Sequence, residues 1–139
     1  MGRVYTSAAA YMRDPRPMGL SVFRGVDVED VARLALDVRD VTLVVDEMDR
    51  ACENKRWHSP SVKRIVHEGR HFRCGLFGTF RRTANVSEDL LSQVDFAFLF
   101  RTSQTSPYDL LTIKQRFGER YALEVQTLGF GEFVVWSDE

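Results

Sequence analysis

Asp46 and Glu47 stand side by side directly after the apolar run Thr42-Leu43-Val44-Val45. Two adjacent carboxylates in that position suit metal-assisted phosphoryl chemistry. The first can hold Mg2+ through its water shell, and the second, a step further from the ion, can orient or deprotonate an attacking water. A hydrated acidic turn after a buried strand is the alternative reading. A second constellation, His67-Glu68-Gly69-Arg70-His71, satisfies H-E-x-x-H, in which imidazoles one helical turn apart bind zinc and the glutamate acts as general base. Gly69 weakens the helix that this motif requires, and Phe72 to Phe80 reads as a strand, so the helix is expected to end before His71 can face His67. A third ligand, such as Glu88, would also be needed. Two polar residues flanking a helix end is the favoured account.

A third feature is charge. Between Lys55 and Arg82 there are eight basic side chains against the single acid Glu68, whereas the other residues carry eleven bases against nineteen acids. Such asymmetry points to a positive face for a phosphate-bearing partner. Lys55, Arg56, Lys63 and Arg64 suit contact with a nucleic-acid backbone that is not read for sequence, with Trp57 and His58 available for base stacking. A solvated helix start is the alternative.

The elements that must position these groups follow from periodicity and capping. Arg3 to Ala8 and Leu20 to Phe23 read as short strands around a loop at Arg13-Asp14-Pro15-Arg16-Pro17. Asp27 caps a helix in which Val28, Val31, Leu34, Ala35 and Val38 recur at helical spacing. Val41 to Val45 shows no polar alternation and reads as a strand buried on both faces. Ser59 and Pro60 open a second helix that Gly69 should stop, and Cys74 to Phe80 reads as another strand. Ser87 caps a third helix, Phe96 to Phe100 is a buried strand, Ser106 opens a fourth helix closed near Gly118, and Glu132 to Trp136 is the last strand. Strands alternating with capped helices imply an α/β fold, a mostly parallel sheet with helices on both faces. Functional side chains then gather at the carboxyl ends of the strands, at Asp46-Glu47, Thr79 to Arg82 and Arg101.

The 139 residues suit a single domain, 44% hydrophobic and 28% charged, too apolar for a disordered chain. Ten phenylalanines suggest a dry core, since the ring has no polar group to satisfy. No apolar run approaches the ~20 residues that cross a bilayer, and no secretory signal opens the chain, so a cytoplasmic protein is expected, virion-associated if viral. Cys52 and Cys74 have neither disulfide-framework number nor zinc-site spacing, and packing as reduced thiols is their expected role.

The order of these pieces resembles the HerA and FtsK family of DNA-translocating and genome-packaging P-loop ATPases over residues 19 to 136. The resemblance rests on Thr42-Leu43-Val44-Val45-Asp46-Glu47, on Ile65-Val66-His67-Glu68-Gly69-Arg70 leading into Cys74-Gly75-Leu76-Phe77-Gly78-Thr79-Phe80-Arg81-Arg82, and on two later stretches. These are Glu88-Asp89-Leu90-Leu91-Ser92-Gln93-Val94-Asp95 before Leu99-Phe100-Arg101, and Leu128-Gly129-Phe130-Gly131-Glu132-Phe133-Val134-Val135-Trp136. It implies a RecA-like core in which Asp46 is the Mg2+ carboxylate of a Walker B strand, Glu47 the catalytic carboxylate and Thr79 the polar group ending the sensor strand. It also implies that Arg70, with Arg73 competing, is presented to the ATP of a neighbouring subunit in a homo-oligomer acting on DNA. An arginine fixed by the dipole at the end of its helix is the alternative for Arg70. Two departures stand out. Phe80 replaces the amide that usually follows the sensor threonine, and no G-x-x-x-x-G-K-[ST] occurs, so the family's first strand and phosphate loop should lie upstream of residue 1. ATP hydrolysis is therefore expected only with a phosphate loop supplied from outside these residues. The alternative is a catalytically silent nucleic-acid-binding or assembly module.

Overall fold

The computed structural model describes residues 2–14, 19–48, 51–53, 56–102 and 106–138. They fall into two compact units, Met1–Ala51 with Trp57–Thr79 and Cys52–Arg56 with Phe80–Glu139.

In the first unit, β1 (Arg3–Tyr5) pairs in parallel with β2 (Ser21–Phe23), and α1 (Ala8–Met12) lies between them in sequence. The first strand stops short of Ala8 because the Ser7 hydroxyl accepts the Ala10 N–H at 3.1 Å and caps α1. Asp27 caps α2 (Val28–Val38) through the Glu29 N–H at 2.8 Å, and Ala32, Leu34, Ala35 and Leu36 form its buried side. Then come β3 (Val41–Val45) and α3 (Pro60–Phe72); between them in sequence lie the two-residue strands β4 (Cys52–Glu53), which belongs to the second unit, and β5 (Arg56–Trp57), of which Trp57 belongs to the first. Ser59 caps α3 by accepting the Val62 N–H at 3.2 Å. The Glu29 carboxylate of α2 accepts the Ser59 hydroxyl at 2.6 Å, the Ser61 N–H at 3.0 Å and the Ser61 hydroxyl at 2.6 Å, which ties the two helix starts together.

Gly69 does not end α3. The helix runs on to Phe72 and closes at Arg73, a left-handed cap at φ 55°. Gly69 serves a close approach instead, because a Cβ there would meet the Cys74 carbonyl oxygen at 2.5 Å. The helix thus lies tight against the start of β6 (Cys74–Gly78), which pairs in parallel with β3 from Val41 opposite Cys74 to Val45 opposite Gly78.

The second unit holds a 3-10 turn at Thr83–Asn85, α4 (Glu88–Leu91), β7 (Phe96–Phe100), α5 (Pro107–Phe117), α6 (Glu119–Thr127) and β8 (Phe133–Ser137). Gly118, at φ 108°, separates α5 from α6, a helix that the sequence reading leaves as loop. Ser106 makes no capping bond; its hydroxyl donates to Asp109. Asp109 also accepts the Ala84 N–H at 2.7 Å and the Thr83 hydroxyl at 3.2 Å.

The fold is mixed α/β, with three corrections to the expected sheet. The pairs β1–β2 and β3–β6 are parallel, but β7 and β8 run antiparallel, Phe96 opposite Ser137 and Phe100 opposite Phe133. The strands expected to be covered on both faces alternate. Leu43 and Val45 are buried while Thr42 and Val44 are exposed, and in β7 Leu99 is buried while Phe96, Phe98 and Phe100 are exposed. The phenylalanines do not make the core: of the described ones only Phe117 is buried, its ring 5.2 Å from that of Trp136. Met48 and Val62 are fully buried in the first unit, and Ile113 and Val125 in the second. Both cysteines are free and buried, as packing requires.

Candidate active site

The parallel register of β3 and β6 continues one step past the strands and brings Asp46 opposite Thr79. The Thr79 hydroxyl donates to the Asp46 Oδ1 at 2.6 Å and accepts the Glu47 N–H at 3.0 Å. Two backbone bonds lock the loop behind it, Thr79 N–H to the Val45 carbonyl at 3.1 Å and Met48 N–H to the Thr79 carbonyl at 2.9 Å. A Cβ on Gly78 would stand 2.4 Å from the Met48 Cγ, and Met48 is fully buried. Glycine at 78 is therefore what lets the acidic loop fold down onto the end of β6.

Glu47 has φ 57°, a left-handed conformation that costs a non-glycine residue roughly 1–2 kcal/mol. In extended backbone Glu47 would follow Leu43 and Val45 toward the covered face. The left-handed turn breaks that alternation, and the Thr79 hydroxyl holds the turned residue by its amide. Asp46 is exposed and Glu47 half-buried. One Asp46 oxygen is engaged by Thr79, so a hard carboxylate donor remains. Magnesium needs only one or two such carboxylates because it keeps several of its waters. The residues present fit that ion.

The remaining predicted residues divide. Arg70 is exposed in the last turn of α3, and its carbonyl accepts the Arg73 N–H. That turn leads into the amino end of β6, whereas Thr79 follows its carboxyl end, a strand length of roughly 16 Å away at about 3.3 Å per residue. Arg70 is not gathered with the acidic pair of its own chain. The competing Arg73 is paired with Asp40 at 2.5 Å. Lys63 and Arg64 are exposed on α3; Arg64 bonds Glu68 at 2.9 Å, and its guanidinium lies 4.6 Å from the Phe72 ring centroid. Arg56 is exposed in β5, and Lys55 lies outside the described residues. Arg81, Arg82 and Arg101 are exposed residues of the second unit. The continuous α3 does set His67 and His71 one turn apart, contrary to the expectation that the helix ends between them. Even so, no cluster of three or more His, Cys, Asp or Glu side chains placed to hold a metal occurs among the described residues. The sequence reading missed Met48 and Gly78, whose complementarity shapes the loop; the small residue ending a strand next to an acidic turn was the available signal.

No protein-family model matches the sequence, and no curated protein does. Solved structures do. The genome packaging NTPase B204 from Sulfolobus turreted icosahedral virus 2 superposes with TM-score 0.81 in its complex with ATP-gammaS, at 19% identity over 98% of this chain and 68% of that chain. Its AMP complex gives TM-score 0.79 at 20% identity, with the same coverage. B204, the DNA-packaging ATPase from Sulfolobus Turreted Icosahedral Virus, gives TM-score 0.69 at 19% identity over 85% of this chain and 60% of that one. The chain has an NTPase-type fold. At such identity the likeness speaks to architecture, and what B204 binds is a property of B204. No helix among the described residues is long and apolar enough to cross a membrane.

Proposed function

We propose that this chain is the ATPase-core portion of a HerA/FtsK-like genome-packaging or DNA-translocating motor, able to turn over Mg·ATP only when a phosphate-binding loop is supplied from outside residues 1–139. The observation that carries this reading is the Thr79 hydroxyl joining the Asp46 carboxylate to the Glu47 amide at the carboxyl edge of two parallel strands. Open α/β sheets bind ligands at that edge.

In this reading the Asp46 carboxylate holds Mg2+ through water, and Thr79 fixes its orientation. The bound ion supplies neutralisation of charge on the phosphate oxygens. The Glu47 carboxylate orients the attacking water and takes its proton. Arg70 serves the nucleotide of an adjacent copy, where a fixed guanidinium offsets charge developing on the transferred phosphoryl group. The distance between Arg70 and the acidic pair of its own chain favours that arrangement over one within the chain. Lys55, Arg56, Lys63 and Arg64 contact DNA phosphates without sequence preference.

Titrating isotope-labelled protein with millimolar Mg2+ and ATP tests the site. Amide shifts centred on Asp46, Glu47 and Thr79, with the Mg2+-dependent part lost in Asp46→Asn, are expected. Shifts confined to other residues, or none, would remove the assignment. A second reading, a silent assembly or nucleic-acid-binding module, draws on Phe80, which cannot hydrogen-bond a phosphate. It forecasts DNA binding with no response to Mg·ATP.

A further inference from the structure

Helices α5 and α6 meet at Gly118 and turn Ile113, Phe117 and Val125 into the interior of the second unit. That spacing leaves two leucines outward, Leu111 at 50% and Leu123 at 62% exposed, where a solvated helix pair would carry polar side chains. Between the helices lies a groove of about 380 Å3, lined by these two leucines with Leu110 and Ala122 and bounded near Gly118 by the Lys114–Glu119 ion pair. An apolar cavity of only about 150 Å3 already admits a benzene ring.

The same unit holds an aromatic ring out into water. Phe130 stands at the tip of the turn between α6 and β8 and is wholly exposed. The turn is closed from both sides: the Gly129 N–H donates to the Glu132 carboxylate at 2.6 Å, and the Glu132 N–H donates to the Gly129 carbonyl at 3.3 Å. Gly131 takes φ 80°, the left-handed position that such a turn requires. A Cβ at Gly131 would meet nothing within 4 Å, so glycine is there for its conformation and not for want of space. A ring presented on a closed turn loses little freedom when it is seated elsewhere.

We infer that the α5–α6 groove seats Phe130 of a second copy of this chain. Within one molecule the exposed ring does not fill the groove, yet every molecule carries both halves of the contact. Glu132, two residues from the ring, is opposite in charge to Lys114 at the groove, which favours this docking over that of a basic segment. Area sets the strength. An aromatic side chain buries about 150–250 Å2. Even doubled by the groove's own share, that falls short of the roughly 1,000 Å2 of a stable interface, so the contact is weak and forms at high protein concentration. It stands apart from the Mg·ATP reading and is measured without nucleotide.

Sedimentation equilibrium of the 139-residue chain, from about 10 µM to about 1 mM, reads association of that strength. Phe130→Ala removes the ring. Leu123→Arg puts a charge into the groove at an exposed position, and Leu111→Arg takes its place should circular dichroism show Leu123→Arg unfolded. The average mass of the parent should rise with concentration, and each variant alone should associate at least tenfold more weakly, as loss of a buried aromatic anchor causes. An equimolar mixture of Phe130→Ala with the groove variant should pair again and form nothing larger than a dimer, because one intact groove then meets one intact ring. A parent that stays monomeric throughout, a Phe130→Ala protein that associates like the parent, or a mixture that associates no better than its components would each overturn the inference.

Discussion

Replacing Gly69 by alanine sets two effects of opposite sign against each other. In an ordinary helix interior, Gly→Ala gains about 1 kcal/mol by restricting the unfolded chain and improving propensity. In α3 the added methyl would meet the Cys74 carbonyl oxygen at 2.5 Å, with Ile65 Cγ2 at 3.7 Å on the other side. Relief requires a shift of well over half an ångström by backbone at the first residue of β6, and overpacking of that kind costs about 1–3 kcal/mol. A carbonyl cannot swing aside as a side-chain end can, so the cost should lie at the upper end and the net effect should be about 1–2 kcal/mol of lost stability. Urea unfolding followed by far-UV circular dichroism reads this directly, as a lower midpoint at unchanged slope. Lys63→Ala, exposed on the same helix, should stay within about 0.5 kcal/mol of the parent. A Gly69→Ala protein as stable as the parent, or more so, would refute the close approach and restore Gly69 as a mere helix-weakening residue.

Burial opposes the charge on Glu29, but hydrogen bonds from Ser59, Ser61 and Arg33 outweigh it and draw its pKa from 4.5 down to about 2. The stabilisation, at most about 3 kcal/mol, should be complete above the ordinary value and disappear as pH falls through the folded one; Glu29→Gln should flatten the pH dependence of the melting temperature in that window. Thr79→Val should cost about 0.5–1.5 kcal/mol, since both of its bonds are exposed, and abolish the Mg2+-dependent shifts, while Thr79→Ser, which keeps the hydroxyl, should retain them. Glu47→Gly should raise stability by up to about 1 kcal/mol in calorimetry, because glycine accepts φ 57° without strain, while removing the carboxylate proposed to act on the attacking water. Asp109, whose carboxyl is kept below the usual range by Ser106, Ala84 and Thr83 against the cost of burial, should destabilise the protein by about 2–3 kcal/mol when replaced by alanine, with faster amide exchange at Thr83–Asn85.

Local chemistry was legible where one residue decides the outcome. Asp27, Ser59 and Ser87 announce helix starts because a short oxygen side chain at that point satisfies an otherwise unpaired N–H, and all three do so. The acidic pair was legible for the same reason: the run Val41 to Val45 ends where Asp46 begins. Gly69 misled because two physical uses of glycine look alike in sequence, a helix stop and a close packing approach, and only Cys74, five residues on, distinguishes them. Ser106 does open the helix that closes at Gly118, but its hydroxyl donates to a carboxylate three residues on instead of capping an N–H. Strand direction was legible where a helix separates the partners, as in the parallel pairs β1–β2 and β3–β6, but nothing local in Phe96–Phe100 states that Phe133–Ser137 returns antiparallel to it.

The exposed phenylalanines and the alternating burial of β3 have one physical origin. Val41 to Val45 and Phe96 to Phe100 carry apolar residues on both faces, the composition of strands that lie in the middle of a three-layer sheet. Their sequence therefore calls for cover on both sides, yet helices cover only one, leaving Val44 and Phe77 exposed in one unit and Phe96, Phe98 and Phe100 in the other. Apolar composition on both faces of a strand therefore does not by itself predict burial on both: the helices that pack on it decide which face is covered.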